Sequence, residues 1–216
     1  MFDGRLRATF NRPLNAMARR AAGRGVRAWQ VTLVGFGFGV GACVAIGFDR
    51  RWWALGLWLL NRAADGLDGA LARRVGATEL GGFFDIVADF AVYGGFVVAL
   101  AIANADARLA AVVLLGTYYI SGAALLAWSS IAERHGHRRG DNRSFHFVGG
   151  LAEGAETIVV YALVCVWPAA TVEILWAFSG AVGFTALQRV VFVWRSSSAH
   201  DASGGRDAGG SATPET

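Results

Sequence analysis

The chain has 216 residues, enough for one domain, and 55% of them are hydrophobic, with a mean hydropathy of +0.42. That excludes an ordinary soluble domain. All 20 basic residues are Arg and the net charge is +4, but the Arg residues fall between apolar stretches, a membrane-topology pattern that excludes a nucleic-acid surface.

Residues 1–27 hold seven Arg and no apolar run of signal-peptide length. Phe2, Leu6, Phe10, Leu14 and Met17 recur every three or four positions among Arg5, Arg7, Arg12, Arg19 and Arg20. This spacing predicts an amphipathic helix lying in the membrane interface, with Pro13 as a candidate break. Six segments then reach the length needed to cross a bilayer, about 20 residues. They are Ala28–Phe48, Trp52–Ala72, Gly81–Ala103, Leu109–Ile131, Val148–Trp167 and Ala169–Trp194. The predicted fold is therefore all-α: an N-terminal interfacial helix (1–27), a six-transmembrane-helix bundle (28–195) and a disordered Ser/Gly/Ala/Asp-rich tail (196–216).

Arg placement sets the orientation. Seven Arg precede the first span, Arg73 and Arg74 follow the second, and Arg134, Arg138, Arg139 and Arg143 follow the fourth. The other side holds Arg50, Arg51 and Arg108. Both termini are expected in the cytoplasm, with the chain in a cytoplasmic membrane. Gly35, Gly37, Gly39 and Gly41 predict close helix packing. Cys43 and Cys165 lie within apolar stretches and read as free thiols serving as small apolar residues.

The stretch from Asp65 to Asp89 carries the chemistry. An Asp in the middle of a membrane helix costs roughly 2.5–3.5 kcal/mol on insertion scales, and Asp65, Asp68, Asp85 and Asp89 fall in two successive spans. At about 100° per residue, Asp65, Asp68, Gly69, Ala72 and Arg73 share an arc of about 140°, and Gly81, Asp85 and Asp89 one of about 80°. The short connection between the spans makes them antiparallel neighbours, with the acids at matching heights. Four carboxylates without His or Cys suit Mg²⁺ or Mn²⁺, or a pair of such ions. Gly69 and Gly81 leave room for a phosphate ligand, and Arg73 can neutralise one.

These residues read D-x₂-D-G-x₂-A-R-x₇-G-x₃-D-x₃-D, which closely resembles the signature of the CDP-alcohol phosphatidyltransferase family. The family usually has eight residues between its Arg and second Gly; here there are seven, and the difference falls in the predicted loop. The resemblance covers roughly residues 20–195 and implies a homodimeric six-helix membrane enzyme of phospholipid synthesis with a site open to the cytoplasm. It would transfer a phosphatidyl group from CDP-diacylglycerol, or a related CDP-alcohol, to an alcohol acceptor and release CMP. By carry-over, Asp65, Asp68 and Asp85 bind metal, and Asp89 is the general base and also touches metal. Asp68, Gly69, Ala72, Arg73 and Gly81 line the CDP pocket. The family's P-N-x-x-T-like segment corresponds to Ala28-Trp29-Gln30-Val31-Thr32, where Thr32 fits a nucleotide contact while Ala28 and Trp29 depart from the pattern.

Three weaker features accompany this site. Arg134, Arg138, Arg139 and Arg143 either enforce topology or bind a phosphorylated acceptor, and His135, His137 and His146 read as solvated loop residues. Glu153 and Glu156 at the start of the fifth span either answer the helix dipole or face the acceptor. Arg62, one turn before Asp65, is placed to pair with an acid inside the bundle. The rival reading is a cation-coupled transporter with the Asp cluster as its ion path. Against it stand the lack of an inverted repeat and the placement of all four acids on one side.

Overall fold

The structure is a computed structural model that describes residues 3–134 and 154–207, with side chains placed for 13–131 and 154–195. Arg138, Arg139, Arg143, His135, His137, His146 and Glu153, and the side chain of Arg134, lie outside the described residues. The described residues are helical, without a strand: α1 (Asp3–Gly23), α2 (Ala28–Gly47), α3 (Arg51–Val75), α4 (Glu79–Ala103), α5 (Arg108–Arg134), α6 (Gly154–Val166), a 3₁₀ turn at Pro168–Ala170, and α7 (Thr171–Asp207). Among the described residues, four stretches are long and apolar enough to cross a membrane: Ala28–Gly47, Glu79–Ala103, Arg108–Ile131 and Pro168–Arg195. The charges within α3 set it apart, and the described part of α6 is 13 residues long. α7 runs past Arg195, where the sequence reading begins its tail. No proline precedes Pro214 there, and extending a formed helix costs far less than nucleating one.

The chain divides into two compact units. The described residues of the first are 3–112 and 157–175, and it holds all the acids of the 65–89 stretch. Here α2 packs closely on both α3 and α4, which approach each other less closely along their backbones than either approaches α2. Glycine explains the α2 contacts. A Cβ at Gly35 would lie 2.9 Å from the Ala64 methyl, and one at Gly39 would run into Val92. Bulk keeps α3 and α4 apart: Trp58 packs on Tyr93 and Phe96, with ring centroids at 5.8 and 5.9 Å. Tyr161 of α6 completes this core, stacked on Phe96 at 4.5 Å. The α3–α4 connection is Gly76, Ala77 and Thr78; Gly76 ends α3 at φ 99°, a conformation open to glycine, and its N–H bonds the Ala72 carbonyl.

Part of the C-terminal half of α1 meets protein, while Met17 of its predicted apolar stripe is exposed. Ala18 is fully buried with Ala70 and Leu71 of α3, and Ala21, Ala22 and Leu67 pack around them. Arg19 and Arg20 remain exposed.

The second unit, with described residues 113–134, 154–156 and 176–207, pairs α5 with α7. Tyr118 meets Phe178 and Trp128 meets Phe192, both edge to face. Nη1 of Arg189 donates to the Ser121 hydroxyl at 2.8 Å.

Candidate metal and nucleotide site

An open recess lies within the first unit, lined by Thr32, Gly35 and Phe36 of α2, Asn61, Arg62, Asp65 and Asp68 of α3, and Asp85, Ala88 and Asp89 of α4. Asp65 and Asp68 occupy one face of α3 a single turn apart, and Asp85 and Asp89 do the same on α4, so helical period alone aims them together. The wide spacing of α3 and α4 leaves the space between them open.

Asp65, Asp68 and Asp85 converge, each offering a carboxylate oxygen within 4.8 Å of the others. Two oxygens on opposite sides of one hard cation stand about 4–5 Å apart, twice a metal–oxygen distance of roughly 2.0–2.6 Å. The three carboxylates thus fit a single Mg²⁺ or Mn²⁺, and an all-oxygen donor set matches that chemistry. Asp68 is buried, and its Oδ2 accepts a 2.7 Å hydrogen bond from the Thr32 hydroxyl.

Asp89 stands apart from this trio and is held by Arg62, whose Nη2 donates to Asp89 Oδ1 at 2.7 Å. The acid that pairs with Arg62 is therefore mainly Asp89; Asp65 Oδ2 is 3.7 Å from Nη1. The Arg62 side chain is only 7% exposed.

Of the residues assigned to the nucleotide pocket, Thr32 and Asp68 line the recess. Gly69, Ala72 and Arg73 continue the same face of α3 toward its C-terminal end, where Arg73 is exposed. Gly81 sits in the first turn of α4, and its N–H donates to the capping hydroxyl of Thr78 at 3.1 Å. Glu156 is exposed in the first turn of α6. Sequence reasoning missed Asn61, Gly35 and the aromatic pair Trp58–Tyr93 beside Arg62. An Asn next to an Arg inside an apolar run was the available signal.

A helical membrane protein with clustered carboxylates in an open recess belongs to the class that handles a charged ligand at the edge of lipid. The chain belongs to the CDP-alcohol phosphatidyltransferase family, whose model matches residues 27–194, and it is an enzyme of the CDP-alcohol phosphotransferase type. It is 37% identical over 202 residues to the inner membrane protein YnjF of Escherichia coli (strain K12), covering 88% of this chain and 94% of that one. Its fold is similar to crystal structures of the Mycobacterium tuberculosis phosphatidylinositol phosphate synthase PgsA1. The form with CDP-DAG bound matches with a TM-score of 0.67 at 24% identity, over 85% of this chain and 94% of that one. The form in complex with manganese and citrate also matches at 0.67 and 24%, over 84% and 88%. Membership in a family of transferases sets the transporter reading aside.

Proposed function

We propose that the protein transfers a phosphatidyl group from CDP-diacylglycerol, or a closely related CDP-alcohol, to the hydroxyl of an alcohol and releases CMP, in a reaction that depends on Mg²⁺ or Mn²⁺. One observation carries this reading: Asp65, Asp68 and Asp85 bring carboxylate oxygens within 4.8 Å of one another, inside the stretch matched by the family. The manganese complex of the similar fold supports the choice of ion.

Asp65, Asp68 and Asp85 hold the ion, and a second ion would draw on Asp89. When bound, the metal supplies charge withdrawal from the pyrophosphate, which makes CMP a better leaving group. Thr32 orients Asp68. Gly69, Ala72 and Gly81 give the nucleotide access to the backbone, and Arg73 neutralises phosphate charge. Asp89 accepts the proton of the acceptor hydroxyl. The new oxygen–phosphorus bond forms on the lipid phosphate as the bond to CMP breaks, and CMP departs with the bonding pair. Positioning and charge stabilisation dominate, as in other phosphoryl transfers.

The same reading gives the chain six crossings of a cytoplasmic membrane, both termini inside, α1 at the interface and a homodimeric state. The Arg-rich stretch 134–143 either enforces topology or binds a phosphorylated acceptor, and Glu153 and Glu156 either answer the helix dipole or face the acceptor. The test is CMP release from CDP-diacylglycerol by the detergent-purified chain, with Mg²⁺ or Mn²⁺, across glycerol 3-phosphate, inositol phosphate and serine. Acceptor-dependent, metal-dependent release is expected. Its absence with every acceptor would falsify the assignment, and wild-type turnover by Asp89→Asn would remove Asp89 as the base.

A further inference from the structure

We infer that Arg62 is a positioning residue for Asp89: its guanidinium fixes Oδ1 of that carboxylate and leaves Oδ2 to take the acceptor proton. The inference rests on the transferase reading and on the role of Asp89 in it. A counter-ion for a recess of acids needs only charge, but Arg62 is held from every side. Its Nε donates to Asn61 Oδ1 at 2.8 Å, Nη1 to the Tyr93 hydroxyl at 2.7 Å and Nη2 to Asp89 Oδ1 at 2.7 Å. The rings of Trp58 and Tyr93 lie 4.9 and 5.0 Å from its central carbon.

Each anchor is itself tied down. Asn61 is buried and donates to the Gly35 carbonyl at 2.8 Å. Trp58 is fully buried and donates to the Ile158 carbonyl at 3.3 Å. The Tyr93 carbonyl accepts from the Tyr161 hydroxyl at 2.9 Å. Four helices thus fix one planar fork, and the fork fixes one carboxylate oxygen.

The same geometry sorts the acids. Arg62 stands 3.7 Å from Asp65, beyond hydrogen-bond range, so its directed bond goes to Asp89 and Asp65 is left to the metal trio. Without the fork, Asp89 could rotate toward a bound cation and lose its reach to the acceptor. A lysine at 62 would supply the charge but not the three-way geometry.

The experiment uses the full chain in detergent as wild type, Arg62→Gln, Arg62→Lys, Tyr93→Phe and Asp89→Asn, with the Arg62→Gln and Tyr93→Phe changes each also combined with Asp89→Asn. The first readout is CMP release from CDP-diacylglycerol at saturating Mn²⁺, with glycerol 3-phosphate, inositol phosphate, serine or water as acceptor. Arg62→Gln is expected to lower kcat about 10- to 100-fold, as loss of an outer-shell partner does, with KM for CDP-diacylglycerol within about twofold. Arg62→Lys should not restore it. Tyr93→Phe, which removes one anchor, should give a smaller loss. Neither change should cost anything further in the Asp89→Asn background. Losses that multiply with Asp89→Asn overturn the positioning role.

The second readout needs no turnover. Thermal unfolding should show Arg62→Gln and Asp89→Asn each lowering the midpoint and the double variant lowering it by less than their sum; additive shifts would mean the contact is not made. A wild type that releases no CMP with any acceptor defeats the transferase reading and this inference together. An active wild type with independent losses defeats this inference alone.

Discussion

The Thr32 hydroxyl lies 2.7 Å from Oδ2 of Asp68, joining α2 to the acid-bearing face of α3. The Ala28 carbonyl, where a helical Thr usually bonds back, is 3.2 Å away, so the shorter bond goes to the carboxylate. It restrains the rotation of Asp68 within the trio. Thr32→Val keeps the shape and removes the donor. We expect the Mn²⁺ concentration for half-maximal CMP release to rise about tenfold, the lower end for loss of an outer-shell partner. Thr32→Ser should stay near wild type. An unchanged Mn²⁺ requirement in Thr32→Val would show that Asp68 needs no such support.

How far the sequence reached depends on which distances matter. The sequence predicts the first span at 28–48 and α2 runs Ala28–Gly47, because apolar length and flanking Arg are local signals. The convergence of Asp65, Asp68 and Asp85 was also readable, since helical period and a short connection fix which faces meet. The partner of Arg62 was not. An Arg one turn from Asp65 could pair with any of the acids, and the choice of Asp89 depends on the separation of α3 and α4. That separation is set by Trp58 of α3 packing on Tyr93 and Phe96 of α4, a tertiary quantity. The contact of α1 with α3 is likewise tertiary: it runs through the small residues Ala18, Ala21 and Ala22, while Met17 of the predicted apolar stripe stays exposed.

Close packing at Gly39 gives the next prediction. A Cβ there would run into both methyls of Val92 and lie 3.0 Å from Asn61 Nδ2. Gly39→Ala should destabilise by about 1–3 kcal/mol, the usual cost of overpacking. Gly37 lies on the same helix with nothing within 4 Å of its would-be Cβ, so Gly37→Ala should leave the midpoint unchanged or slightly raised. Thermal unfolding in detergent reads both, and equal midpoints for the two variants would contradict the packing described.

Metal removal tests the trio directly. Stripping the chain with EDTA should abolish CMP release, and added Mg²⁺ or Mn²⁺ should restore it. Asp65→Asn, Asp68→Asn and Asp85→Asn each remove a ligand and should raise the metal requirement by at least the ~10–100-fold that an outer-shell change costs. Asp89→Asn should move it much less, because Asp89 is already committed to Arg62 at 2.7 Å. A chelated protein that keeps full activity would end the metal-dependent reading.

Gly81 caps α4 with Thr78, and the proposed function also places it against the nucleotide; a pair of substitutions separates the two. Its N–H bonds Thr78 Oγ1 at 3.1 Å and caps α4, and a Cβ on it would stand 2.8 Å from that same oxygen. Gly81→Ala must therefore push the cap away, and losing a threonine cap costs about 1 kcal/mol. If that were its whole effect, Thr78→Ala, which removes both the cap and the crowding, would make Gly81→Ala silent. We expect the thermal midpoint of Gly81→Ala to fall toward that of Thr78→Ala, and the double variant to fall no further. If Gly81 lines the nucleotide pocket as proposed, the KM for CDP-diacylglycerol should by contrast stay raised by Gly81→Ala in either background, because the added methyl would still narrow the approach of the nucleotide to α4. A KM that recovers along with the cap would leave Gly81 a helix-capping residue alone and take it out of the pocket.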